Sequence, residues 1–387
     1  MVTGQLDQMA TSKHFDVIVA GCGGMGSATA YHLGKRGQSV LGLERFDIPH
    51  AMGSSHGVNR IIRLAYYEDP SYVPLLRRAY ELWRDLEREA GEQLLSITGS
   101  IDASAPDGEV FQGSLRSCKE HDISHEVLSS HALTERFPGY KLPSGHMAVF
   151  QQDGGFLLSE RCIVAHVHGA LKAGAELHGR ERVLEWHSNG DSVTVRTSRS
   201  TYQAARLVLT AGAWMDHLVP VLAPLLQPER QVLAWFQPHS PQLFGPDLFP
   251  VFNLTVEEGR YYGFPVYGIP GFKVGRYHHL GEYIDPETMD REPNDHDEAV
   301  LRTFTERYFP GASGPVMTMT TCIFTNTPDE HFIIDSMPGA PNVIVVSPCS
   351  GHGFKFSSVI GEIIADLAIQ GDTGHDLSLF ALDRFAS

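Results

Sequence analysis

The chain of 387 residues is 42% hydrophobic and 20% charged, a globular composition with length enough for two domains and no disordered or low-complexity tract. Its formal charge of −16 excludes a general nucleic-acid binder, because a phosphate backbone needs a basic face. No stretch reaches the roughly 18 apolar residues of a membrane span; residues 218–226 are interrupted by Pro220 and Pro224. The first dozen residues are polar and mixed, unlike a secretory signal, and residues 1–13 are expected to form a flexible tail. The five cysteines, Cys22, Cys118, Cys162, Cys322 and Cys349, are odd in number and lack CxxC spacing. Neither a disulfide framework nor a zinc site is expected from them; reduced thiols in a cytoplasm are. The 20 histidines form no HExxH, so no metal is expected.

In chain order, the apolar run 15–20 (FDVIVA) predicts a buried parallel strand. Gly21, Gly23, Gly24, Met25 and Gly26 lie in the turn after it, a helix is expected to about residue 36, and a second strand at 39–43 ends at Glu44. This is GxGxxG in the setting its chemistry requires. The glycines allow close backbone approach, the helix N-terminus offers N–H groups to a pyrophosphate, and Glu44 can accept hydrogen bonds from a ribose. The motif does not choose between NAD and FAD. Residues 72–89 carry an apolar stripe at helical spacing (Leu75, Leu76, Ala79, Leu82, Trp83, Leu86), read as core. A helix closes at 169–174, 193–196 alternates like a strand, and 206–214 reads as a buried strand entering a glycine turn. Residues 227–324 are rich in aromatics, prolines and strand-like alternation, as at 231–236 and 261–264. A last strand at 342–346, a glycine loop at 347–353 and a helix from about 354 to 369 complete the chain. Strand, glycine loop and helix thus recur at both ends. The expectation is an α/β fold (α+β overall): a Rossmann-like domain from 14–92, 151–226 and 325–387, with a mostly antiparallel substrate domain from 93–150 and 227–324 inserted in it.

Three further segments, 53–63 (GSSHGVNRIIR), 321–332 (TCIFTNTPDEHF) and 350–358 (SGHGFKFSS), stand in order after the fingerprint. With it they resemble the monomeric sarcosine oxidase and N-methyltryptophan oxidase family of FAD-dependent amine oxidases, from about residue 14 to residue 385. The resemblance implies an FAD-binding domain of the glutathione reductase type and a monomeric protein. It implies oxidation of a small secondary amino acid, N-methyl or cyclic, to an imine that hydrolyses, with O2 reduced to H2O2. An N-methyl substrate is expected to release free formaldehyde. An amine dehydrogenase with a protein or quinone acceptor, and a non-catalytic dinucleotide sensor, are the alternatives.

By the same resemblance, FAD is joined through its 8α-methyl carbon to Cys322, whose thiolate needs an electropositive setting; read from composition, a free cysteine is ordinarily a buried apolar one. His56 and Arg60, with Ser54, are implied at the flavin ring, and Arg63 at the substrate carboxylate, where a planar guanidinium permits bidentate pairing. Gly351, Gly353, Phe354 and Lys355 form a turn suited to negative charge at flavin N1/O2, and Lys355 supplies a second cation for the carboxylate. Lys273 is implied on the flavin face opposite the substrate, promoting O2 reduction. His278 is implied to orient the amine; an apparent extra residue after Lys273 makes His279 the other candidate. Val183 suits the adenine, and Ala211, Gly212 and Trp214 the ribityl chain. Tyr262 shapes the substrate pocket. Phe324 stands where sarcosine oxidases have a tyrosine, Asn253 where they have a methionine, and Pro348-Cys349 replaces a glycine–phenylalanine pair. These departures point to a bulkier or more polar substrate than sarcosine.

Overall fold

The computed structural model describes residues 13–348 and 350–386; the expected tail at 1–13, except for Lys13, and the change at Cys349 lie outside them. His14–Ala20 is the strand on which the first sheet is built, paired in parallel with Thr201–Leu209 on one side and Val40–Leu43 on the other. The order is Val183–Ser188, Val193–Thr197, Thr201–Leu209, His14–Ala20, Val40–Leu43, Glu176–His178. Ala340–Ser347 joins in parallel beside the second half of Thr201–Leu209, so the two ends of the chain meet in one sheet. The helices Gly24–Lys35, Ser159–Lys172 and Ser357–Gln370 pack together over this sheet. Gly361 permits the closest approach: a Cβ there would stand 2.6 Å from the Ala28 carbonyl carbon. The stripe at 75–86 faces the same core from the helix Val73–Ala90, which Gly91 ends at φ +66°.

The second sheet runs Val316–Asn326, Gln227–Phe236, Phe272–Arg276, Gly259–Phe264, Val251–Val256, Ser100–Ser104, Met147–Gln151, Glu126–Ser129. All its pairs are antiparallel except Val251–Val256 against Ser100–Ser104. Its core is aromatic, with Tyr140, Phe249, Phe252, Phe272, Phe304 and Phe309 buried together. Arg60–Ile62, Gly155–Leu157 and Leu95–Ile97 form a small third sheet.

The structure departs from the expected elements within 227–324, which contains a helix, Asp295–Tyr308. Asn294 caps it in a reciprocal box with Asp297, and Leu301, Phe304 and Tyr308 bury its inner face. That cap and spacing were legible in the sequence, but the surrounding strand-like alternation obscured them. The strand expected to enter a glycine turn within 206–214 ends at Leu209, and the turn's Gly212–Trp214 is a 3-10 helix. The helices Glu109–Glu120 and Ser130–Arg136 were not anticipated either.

Candidate active site

The glycine turn opens a cavity of about 230 Å³. Gly21 holds φ +99°, and a Cβ there would lie 2.5 Å from Thr210 O; a Cβ on Gly26 would lie 1.8 Å from Gly21 O. Gly26 therefore seats the helix on the turn and, unlike Gly21, Gly23, Gly24 and Met25, does not line the cavity. No side chain caps the helix Gly24–Lys35 and its first turn holds no acid, so its N–H groups are left for an anion. Glu44 lines the cavity and accepts from the backbone N–H of Cys22 (2.9 Å) and Phe46 (3.0 Å), which fixes its carboxylate. Val183, Ala211, Gly212 and Trp214 line it with Arg45 and His217. Trp214 packs on Phe46 at 5.4 Å, which puts it at the Glu44 end of the cavity. Two lining atoms, Trp214 Nε1 and Thr325 Oγ1, are buried without a protein partner among the described residues. An uncapped helix N-terminus, a glycine cradle and two orphaned polar atoms fit a dinucleotide.

A second, smaller cavity of about 40 Å³ adjoins the first, and Arg60, Phe324, Gly351 and Phe354 line both. Its other walls include Arg63, Asn253, Tyr262, Phe264, Tyr277, Cys322, His352 and Lys355. Arg63 is 1% exposed, between the rings of Tyr66 and Tyr67 at 4.6 Å each. Its Nε donates to Asp102 Oδ2 (3.2 Å) and its Nη2 to Glu68 Oε2 (2.8 Å). These two bonds use two of the five guanidinium N–H donors, and the Nη1–Nη2 edge, with Nη1 and the second N–H of Nη2, has no further acceptor among the described residues. Lys355 Nζ donates to His352 O (2.6 Å). Burial first, then Arg63, lowers its pKa to about 7 against the pull of Glu68 and Asp102. Cys322 Sγ sits 3.7 Å from Arg60 Nη2. Sequence reasoning passed over Asp102, Glu68 and Tyr277; the one signal was an acid inside the otherwise apolar run at 101–103, where a buried charge demands a partner.

The FAD dependent oxidoreductase family pattern matches residues 16–367, most of the chain. The protein belongs to this family. It is 42% identical to a monomeric sarcosine oxidase of Bacillus sp. (strain NS-129), over 97% of this chain and 98% of that one. It is 35% identical to an N-methyl-L-tryptophan oxidase of Salmonella dublin, over 96% and 99%. Among solved structures it superimposes on NikD, described as an unusual amino acid oxidase essential for nikkomycin biosynthesis, with TM-score 0.83 and 25% identity over 96% and 98% of the two chains. The expected architecture of the FAD family, a sheet-based cofactor domain and a mostly antiparallel second domain, is the one found.

Set in this FAD-dependent fold, several expected residues stand elsewhere. Neither His278 nor His279 lines either cavity. Tyr277 does, because the strand Phe272–Arg276 ends just before it and His278, at φ +55°, turns its ring outward. His278 bridges Glu229 (2.8 Å) and Glu330 (3.2 Å). His279 Nε2 donates to Asp297 Oδ1 at 2.9 Å; Asp297 is the partner of Asn294 in the capping box of Asp295–Tyr308 and also pairs with Arg230. His56 is buried off the cavity walls, its Nε2 unpartnered among the described residues and its pKa lowered to about 4 by burial and then Arg60. Lys273 also lies behind the walls, donating to Gly57 O (2.7 Å), Asn59 O (2.8 Å) and Asn59 Oδ1 (2.8 Å).

Glu229 and then Glu330 raise the pKa of His278 to about 9. A folded-state pKa above the unfolded value near 6.5 means that the ion pairs stabilise fully below about 6.5 and are lost as pH rises through about 9. His278→Gln is therefore expected to lower the melting temperature more at pH 6 than at pH 10, with KM almost unchanged. Tyr277→Phe is expected to move KM instead. Thermal melts at the two pH values and steady-state kinetics test both.

Proposed function

We propose that the protein is an FAD-dependent oxidase of a secondary amino acid, N-methyl or cyclic, with O2 as acceptor and H2O2 as product. The observation that carries this reading is the pair of buried cations, Arg63 and Lys355, on a small cavity that joins the dinucleotide cavity. The names of the sarcosine and N-methyltryptophan oxidase relatives support it. Bound FAD supplies a two-electron acceptor for the C–H bond beside the amine nitrogen and a route for the electron pair to O2. Gly21, Gly23, Gly24, Glu44, Val183 and Trp214 would hold its nucleotide part, and Ser54, Arg60, Gly351, Gly353 and Phe354 its ring. Cys322, beside the Arg60 guanidinium, is the proposed covalent attachment point. Arg63 Nη1 and Lys355 Nζ hold the substrate carboxylate, and Tyr262, Tyr277, Phe264 and Phe324 exclude water around the amine. Such positioning can supply a large share of a rate enhancement. The proposed substrate domain is 93–150 and 227–324; the second sheet supports it, although Met147–Gln151 and Val316–Asn326 run one and two residues past these bounds. The protein is read as a cytoplasmic monomer; the free thiols Cys22, Cys118, Cys162 and Cys322 are in keeping with a reducing compartment. Among the described residues no helix is long and apolar enough to cross a membrane.

Sarcosine, other N-methyl amino acids and cyclic imino acids are expected to bleach the flavin anaerobically and, in air, to yield one H2O2 per amine oxidised. Bleaching by none of them would remove the reading. The carboxylate site has a pH signature of its own. Propoxyacetate, an anion without a titrating amine, should bind more weakly as pH rises through about 7, by up to about tenfold per pH unit as Lys355 loses its proton. In Lys355→Met that dependence should vanish, as read by perturbation of the flavin absorbance.

A further inference from the structure

We infer that Asp102 and Asn253 together make the small cavity select a substrate carrying an O–H or N–H donor on its substituent. The inference rests on the amine-oxidase reading and names the class of amine. Asp102 and Asn253 are register neighbours on the parallel strands Ser100–Ser104 and Val251–Val256. Asp102 is fully buried, and its two oxygens are divided: Oδ2 takes Arg63 Nε at 3.2 Å and Oδ1 takes Asn253 Nδ2 at 2.9 Å.

Division of the carboxylate decides which end of the Asn253 amide faces where. A carboxylate only accepts, so the amide must present nitrogen to Asp102. Its oxygen is then turned from Asp102, and no donor among the described residues reaches Asn253 Oδ1. Asn253 is 1% exposed and lines the cavity. Burial pushes the Asp102 carboxyl up, but the guanidinium on Oδ2 favours the ionised form. The small cavity therefore offers an oriented acceptor in a wall whose neighbours Tyr262, Phe264 and Tyr277 are aromatic. A buried acceptor rejects an apolar isostere much more strongly than an apolar wall rejects a polar one, because the acceptor is left unpaired. Asn253 is thus a specificity residue, and Asp102 is a positioning residue acting through it.

The donor could sit on the Cα side chain or on the N-substituent, and two isosteric pairs separate these sources. N-methyl-L-serine is compared with N-methyl-L-2-aminobutyrate, and N-(2-hydroxyethyl)glycine with N-propylglycine, by kcat/KM in an H2O2 assay. In one pair the hydroxyl member is expected to be preferred by at least about tenfold, and that pair identifies the source. Asn253→Leu should bring the ratio to one or below. Asp102→Asn, which can satisfy either amide orientation, should shrink it. A purely structural role for the two residues would slow both members of a pair equally and leave the ratio where it was. A wild-type ratio near one in both pairs, or a preference that survives Asn253→Leu, overturns the inference. Should Asn253→Leu not fold, Asp102→Asn decides by the same ratio. Turnover without preference, or no turnover of any of the four while sarcosine or a cyclic imino acid still bleaches the flavin, overturns this inference alone. Bleaching by none of these amines removes the amine-oxidase reading and this one with it. Flavin absorbance changes on binding (2-hydroxyethoxy)acetate against propoxyacetate give a second readout for the N-substituent arm, independent of turnover.

Discussion

Replacing Lys273 with methionine is expected to leave anaerobic flavin reduction within about twofold and to slow reoxidation by O2 at least about a hundredfold, since about 1.4 kcal/mol of lost stabilisation is already tenfold in rate. The argument is electrostatic. Lys273 is 1% exposed, its Nζ is 4.2 Å from the Phe264 ring, and three oxygens take up the three hydrogens of an ammonium. Burial first, and then Arg60, pull its pKa well below 10.5, so its charge is held against opposition by those three acceptors. A fixed cation in a low dielectric acts on developing negative charge far more strongly than one in water. The same contacts show that the lysine also fastens the turn at 57–59, whose N–H groups at Gly57 and Val58 are taken by Glu160. Methionine removes three hydrogen bonds from the turn, leaving, among the described residues, Gly57 O only the Asn59 N–H and Asn59 O only Arg60 Nη1, and the melting temperature should fall. Lys273→Gln separates the two roles, because an amide can still donate to the turn but carries no charge. It should recover the melting temperature and not the reoxidation rate. Equal losses in both half-reactions would mark Lys273 as a structural residue. Slow reoxidation in the wild type itself would favour the dehydrogenase alternative.

The other large effect is all-or-none. Acid precipitation of the loaded wild-type protein should leave the flavin in the pellet, and Cys322→Ser should release it all to the supernatant. Substitution of Cys22, Cys118, Cys162 or Cys349 should change nothing in that partition. The physical distinction is the surroundings of each sulfur. Burial raises the pKa of Cys22 and Cys162 well above 9.0 and that of Cys118 to about 12, so these remain inert thiols. Cys322 has the Arg60 guanidinium at 3.7 Å and lies on a cavity wall, the electropositive and accessible setting in which a cysteine sulfur reacts. Flavin in the supernatant of fully loaded wild type would refute the attachment.

Local order was legible in the sequence because its causes are local. The run 15–20, the glycine turn and Glu44 are joined by a strand, a tight turn and a helix start that depend on few distant residues, and they stand where the spacing put them. The stripe from Leu75 to Leu86 announces its buried face by period alone. The cap at Asn294 was equally local and was hidden only by the strand-like stretches around it. The site required more. Whether position 277, 278 or 279 faces the cavity depends on where the strand Phe272–Arg276 stops and on one left-handed residue, and a one-residue slip turns a side chain to the opposite face. Whether Arg63 is free to bind depends on Asp102, 39 residues away, and the orientation of Asn253 depends on that same carboxylate, 151 residues away. The sequence by itself determined a dinucleotide turn, the elements around it and the residue types available for amine chemistry. Only the tertiary structure decided which of them share a cavity and which are already paired, because burial and charge compensation are set by neighbours that the chain brings together from distant strands.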